Sequence, residues 1–113
     1  MKPASPATRV AIRCIRPELV AASDRERIEQ EMTDLGVRLG RAVDVTTVEI
    51  DPTREGPYTT VRLALRRTGA DAVIVHDLEH VDGIDDWIRQ HAELITLKGE
   101  KVLERAATTA ASA

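Results

Sequence analysis

A three-layer α/β sandwich with a four-stranded, mainly parallel sheet is the fold this sequence predicts, and three observations carry it. The run Ala72-Val73-Ile74-Val75 is apolar, largely β-branched and too short for a helix. It reads as a strand buried on both faces, the kind found in parallel sheets covered by helices. Strand-like runs then alternate with amphipathic stretches in the order βαβαβαβ. Finally, the connections between consecutive strands are short, as right-handed βαβ crossovers require.

Each element has its own signal. Arg9 to Arg16 forms a first strand, with Val10, Ile12 and Cys14 on one face and Ala11 and Ile15 on the other, and Pro17 stops it. Ser23-Asp24-Arg25-Glu26 has the pattern of a capping box, and Ile28, Met32, Leu35 and Leu39 follow as an apolar stripe closed by Gly40. Val43 to Asp51 is a second strand whose alternation slips at Thr46-Thr47, the mark of a bulge or an edge position. Pro52 to Pro57 is a loop. Tyr58 to Thr68 reads as a helix with Val61, Leu65 and Ala64 inward, Arg62, Arg66 and Arg67 outward, and Gly69 at its end. Ala72 to Leu78 is the third strand. Asp82 is then expected to cap a third helix with the stripe Ile84, Trp87, Ile88, His91, Leu94 and Ile95, closed by Gly99, and Lys101 to Arg105 to be the last strand. Residues 9–105 thus make one domain, while residues 1–8 and 106–113 are expected to be disordered ends.

Composition narrows the function classes. With 113 residues, 42% hydrophobic and 31% charged, the chain is an ordinary globular domain that needs no metal or disulfide to build a core. It has no Phe, one Trp and one Tyr, so stacking platforms for single-stranded nucleic acid are missing. A net charge of −3 and a pI near 5.6 argue against a surface built for phosphate backbones. The lone Cys14, inside a strand, reads as a buried structural thiol. Neither a signal peptide nor a membrane span is recognisable, and a cytoplasmic location is expected.

Chemistry-bearing motifs are sparse. No glycine-rich phosphate loop follows any strand, and none of the three serines (Ser5, Ser23, Ser112) stands where an activated nucleophile is expected. The polar cluster leaving the third strand, His76, Asp77, Glu79, His80 and Asp82, lies at a carboxyl edge where α/β sheets bind ligands. Its spacing fits a solvated loop with helix-capping acids, and less specifically a divalent-metal site. The arginines of the second helix read as a solvated basic face, or as a contact for a phosphate or an acidic partner.

The opening Val10-Ala11-Ile12-Arg13-Cys14-Ile15-Arg16, Gln30 in the first helix, Val48-Glu49-Ile50-Asp51 before a loop, and Asp71-Ala72-Val73-Ile74-Val75-His76-Asp77-Leu78 form a set spanning Arg9 to Arg105. In order and spacing it resembles the N-terminal catalytic domain of serine recombinases, the resolvase/invertase family. The resemblance implies a strand order of 2-1-3-4. It also implies where catalysis should lie. An Arg-Val-Ser sequence after the first strand supplies the family's nucleophile, whereas this chain reads Ile15-Arg16-Pro17-Glu18. The family's Leu-Asp-Arg-Leu-x-Arg signature is matched by Leu78-Glu79-His80-Val81-Asp82-Gly83, with His80 and Gly83 in place of both arginines. Those arginines stabilise charge on a phosphoryl group in transit, which a mostly neutral histidine and a glycine do not. The family's Arg-Pro-Gly-Leu is replaced by Pro57-Tyr58-Thr59-Thr60-Val61, and no counterpart of its downstream DNA-binding region is expected.

The first expectation is therefore a catalytically inactive resolvase-like domain acting through a protein partner or its own copies, with nucleic acid not favoured. The alternative is a small-molecule or divalent-metal-binding domain using Arg16, Asp77, Glu79 and His80. An active DNA recombinase with displaced catalytic residues comes third. No catalytic residue, metal ligand set or cofactor is assigned.

Overall fold

The computed structural model describes residues 9–50 and 57–105. Its sheet contains β1 (Arg9–Ile15), β2 (Arg41–Glu49), β3 (Ala72–Val75), β4 (Glu93–Thr96) and β5 (Lys101–Leu103). The helices are α1 (Ala22–Arg38), α2 (Pro57–Thr68) and the short α3 (Asp85–Arg89), and single 3₁₀ turns occupy Pro17–Leu19, Leu78–Val81 and Lys98–Glu100. The strand order is β2-β1-β3-β4-β5, parallel except for antiparallel β5. The order is close to the expected 2-1-3-4: the first three strands stand as expected, and an additional strand, β4, lies between β3 and the expected last strand, which is β5. The two ends of the chain expected to be disordered, and most of the Pro52 to Pro57 loop, lie outside the described residues.

Three layers follow from which side chains each strand sends to which face. Ile28, Met32 and Leu35 of α1 pack with Ala11, Ile15, Ala72, Ile74 and Ile95 on one side of the sheet. Val61 and Ala64 of α2 and Ile88 of α3 pack with Ile12, Cys14, Val73, Val75 and Leu94 on the other. All four residues of β3 are fully buried, as a central strand covered on both faces must be. Gly36 lets α1 lie this close, because a Cβ there would stand 2.5 Å from Val43 Cγ2 and 2.9 Å from Ile74 Cδ1.

The slip in β2 is both a bulge and an edge position. Between the pairs Ala11↔Val43 and Arg13↔Thr47, β1 advances two residues while β2 advances four. Such a bulge takes carbonyls out of the ladder, and buried Arg13 answers one of them by donating to Val45 O at 2.5 Å. The same guanidinium donates to Thr33 Oγ1 at 3.2 Å and Glu29 O at 3.3 Å, tying the bulge to α1.

Several boundaries differ from the expectations. The largest change is β4, which replaces the second half of the expected third helix, so the sheet has five strands rather than four. Leu94 and Ile95 belong to opposite core clusters. Neighbouring residues point to opposite faces in a strand, whereas a helix would set them side by side. Ser23 does not cap α1: the helix starts at Ala22 with Ala21 as its N-cap and no side-chain cap bond. Asp82 ends the 3₁₀ turn and does not cap α3, whose N-cap is Ile84. Leu39 is at the C-cap of α1 and 42% exposed, so the buried apolar stripe stops at Leu35. Strand β2 begins at Arg41 and ends at Glu49, while β3 ends at Val75 because the chain turns at once into the 3₁₀ segment. The last strand, expected over Lys101 to Arg105, is shorter at Lys101–Leu103. Among the described residues no helix is long and apolar enough to cross a membrane.

Candidate functional site

The chain runs from β1 to β2 on one side of the sheet, then returns through α2 to place β3 on the other side of β1. Connections leaving β1 and β3 thus diverge, and the crevice between their carboxyl ends is the switch point at which open α/β sheets hold ligands. Two segments build it, Arg16–Leu19 after β1 and His76–Val81 after β3.

After β1, Pro17 starts a 3₁₀ turn in which Leu19 N donates to Arg16 O at 2.9 Å. This turn folds Glu18 back onto Arg16, whose Nε lies 3.2 Å from Glu18 Oε2. The guanidinium also donates to Glu79 O at 3.3 Å, bridging the two segments. After β3, Asp77 caps the second turn, its Oδ1 accepting from Glu79 N at 3.0 Å. That turn rotates His80 inward and leaves Glu79 in solvent.

His80 is the centre of the site. It is 2% exposed, and its Nδ1 accepts a hydrogen bond from Arg16 N at 3.0 Å. An acceptor Nδ1 carries no proton, so the neutral ring carries it on Nε2. Burial, the largest influence, pushes the His80 pKa down and keeps the ring neutral. Among the described residues Nε2 has no hydrogen-bond partner. His80 lines a cleft of about 230 Å³ together with Arg16, Ile50, Tyr58, Asp82 and Ile84. Gly83, with φ +89°, turns the chain at the cleft's edge, and Tyr58 Oη reaches its carbonyl at 3.4 Å.

His76, Asp77 and His80 bring potential ligand atoms within 4.8 Å of one another. His76 Nδ1 is 3.4 Å from Asp77 Oδ2. The trio is nevertheless poorly suited to a cation. The one free lone pair of the His80 ring is already engaged by Arg16 N–H, so a metal would have to break that bond.

Of the residues the sequence singles out, Arg16, His80 and Asp82 therefore meet in one cleft. Asp77 instead lines a separate hollow towards β4 and β5, and Glu79 contributes its backbone carbonyl rather than its carboxylate. Sequence reasoning missed Tyr58, Ile50 and Ile84. The usable signal was aromatic scarcity: the single Tyr meets the single Trp, Tyr58 and Trp87 packing edge-on with centroids 5.5 Å apart. His91, expected in the apolar stripe of the third helix, is exposed beside Trp87, and its Nδ1 lies 2.9 Å from Trp87 O.

No nucleophile faces the cleft from these segments. Cys14 lies wholly inside β1, and burial pushes its thiol up to about 12, far from a reactive thiolate. Ser23 is exposed on α1. Comparison with family models, with curated proteins and with solved structures finds no match to the chain in any of the three.

Proposed function

We propose that this chain is a catalytically silent, resolvase-like α/β module of the cytoplasm that acts through contacts with proteins, including further copies of itself. One observation carries the reading. At the switch point, where the resemblance calls for a serine, the chain has Pro17 and Glu18, and the Glu18 carboxylate occupies the neighbouring Arg16 at 3.2 Å. Phosphoryl transfer needs a nucleophile and permanent cations converging on one phosphate. Here Arg16 is paired with an acid, and the position of a second cation is filled by a buried neutral imidazole. Outward-facing Val37, Val45 and Leu63 supply apolar surface for partners. Incubation with circular and linear duplex DNA, read on a denaturing gel, is expected to give no covalent protein–DNA adduct. Sedimentation across a concentration series is expected to show association. An adduct overturns the silent-module reading, and a strictly monomeric chain removes self-association from it.

A second reading has its own observation. Among the described residues the His80 Nε2–H has no partner, and His80 lines the cleft with Arg16 and Tyr58, which suits a small ligand offering a hydrogen-bond acceptor. Inorganic phosphate, acetate and zinc are the probes, with melting temperature as the readout. An upward shift with an anion and none with zinc is expected. No shift with either anion rejects this reading.

A further inference from the structure

We propose that the outer face of α2 docks an acidic, apolar-anchored segment of a partner protein. The proposal rests on the protein-contact reading above and names the chemistry of the contact. Over Pro57–Thr68 the helix carries Arg62, Arg66 and Arg67 and no acid, although the whole chain has 19 acidic against 16 basic residues. Helical spacing puts Leu63 between Arg66 and Arg67 on the outward face, and Leu63 is 57% exposed. A helix that has buried Val61 and Ala64 against the sheet has no need of a further outward leucine for its own packing.

Beside this face lies an open hollow of about 490 Å³ between α2 and the edge strand β2. Val48, Leu63 and Ala64 give it apolar walls, Thr46, Thr59, Thr60, Glu49 and Arg67 line the rest, and Arg62 and Arg66 lie outside it on the helix. Glu49, the acid on its border, is held by Arg25 at 2.7 Å. Arg67 spans 3.5 Å to Asp44, both partners reaching solvent. An occupant must therefore offer carboxylates to the guanidinium groups and an apolar side chain to the hollow. Arginine forks suit carboxylates in both geometry and charge.

Other occupants fit less well. Duplex DNA has no apolar side chain for Leu63, and a net charge of −3 repels it. A second copy docking the same face across a two-fold axis would set arginine against arginine.

Binding is tested on the full chain with a short fluorescent peptide of glutamate and leucine, by anisotropy. Comparison probes carry serine for leucine or lysine for glutamate, alongside a short DNA duplex. The glutamate–leucine peptide is expected to bind most tightly, about tenfold better than its serine version, with affinity falling as salt rises. Arg62→Glu/Arg66→Glu should weaken it at least about tenfold and favour the lysine peptide instead. Leu63→Ser should erase the preference for leucine over serine. These residues are exposed, so the variants should keep the wild-type melting temperature. Absence of peptide binding, indifference to these substitutions, preference for DNA, or self-association lost in Leu63→Ser would each overturn the proposal. DNA cleavage is read separately: failure here without a DNA adduct leaves the silent-module reading standing, whereas an adduct sinks that reading whatever the peptide does.

Discussion

Replacing both acids at the lower edge of the sheet, Asp71→Asn with Glu93→Gln, is expected to cost about 3–5 kcal/mol, more than removing the arginine they share. Arg41 opens β2 beneath the sheet, paired in register with Arg9 of β1, and its guanidinium binds both Asp71 and Glu93. Burial is unequal across this group. The Arg41 side chain is 3% exposed, whereas those of Asp71 and Glu93 are 47% and 23% exposed. A guanidinium cannot shed its charge, so neutral amides would leave a buried cation without counter-charge. Arg41→Met removes that charge and leaves two acids that reach water and still have Arg9, whose Nε lies 3.0 Å from Asp71. Its expected loss is about 1–2 kcal/mol, because partly solvated charge-assisted bonds contribute only that much. Urea unfolding followed by circular dichroism measures both variants. If Arg41→Met proves the less stable, the acids rather than the arginine are the members that depend on the pairing.

That network also shows where the sequence stops being legible. Arg41 is 30 and 52 residues from its partners, and no local spacing announces such a meeting. The elements that could be read are those in which periodicity and punctuation agree. Gly40 follows the apolar pattern of α1, Gly69 follows that of α2, and the unbroken Ala72–Val75 run of β3 admits one interpretation. In the segment from Ile84 to Ile95, apolar residues happen to fall three and four apart, with neither glycine nor proline between them. Pairing of Leu94 and Ile95 with Val73 and Ile74 overrides that pattern, since a parallel neighbour decides the backbone more strongly than local propensity does. The candidate site was half legible for a related reason. The end of β3 marks the ligand edge, but the 3₁₀ turn Leu78–Val81 decides that His80 points in and Glu79 out. Tyr58 and Ile50 reach the cleft from other elements, so nothing near His80 in sequence points to them.

Removing the His80 imidazole is expected to cost about 2–4 kcal/mol in His80→Ala and about 1–3 kcal/mol in His80→Leu. The alanine variant loses the acceptor for Arg16 N–H and leaves a cavity, whereas leucine refills the space and isolates the hydrogen bond. A pH dependence accompanies the loss, and its sign follows from the ring's environment. Burial lowers the folded pKa below its ordinary 6.5. Of the charged groups nearby, Asp77 and Glu79 oppose that shift while His76 and Arg16 reinforce it. Between the two values the unfolded chain binds a proton that the folded chain refuses, so stability rises with pH. The contribution is complete above 6.5 and is lost as pH falls through 6.5 towards the folded value. The geometry gives the same answer independently, because a proton on Nδ1 would confront Arg16 N–H with a second donor in place of an acceptor. Stability measured by urea unfolding from neutral to mildly acidic pH should therefore decline in the wild type and in His76→Gln, and flatten in His80→Leu. An unchanged slope in His80→Leu would assign the acid sensitivity to another group. A flattened one would establish the neutral imidazole as the joint that holds the ends of β1 and β3 together.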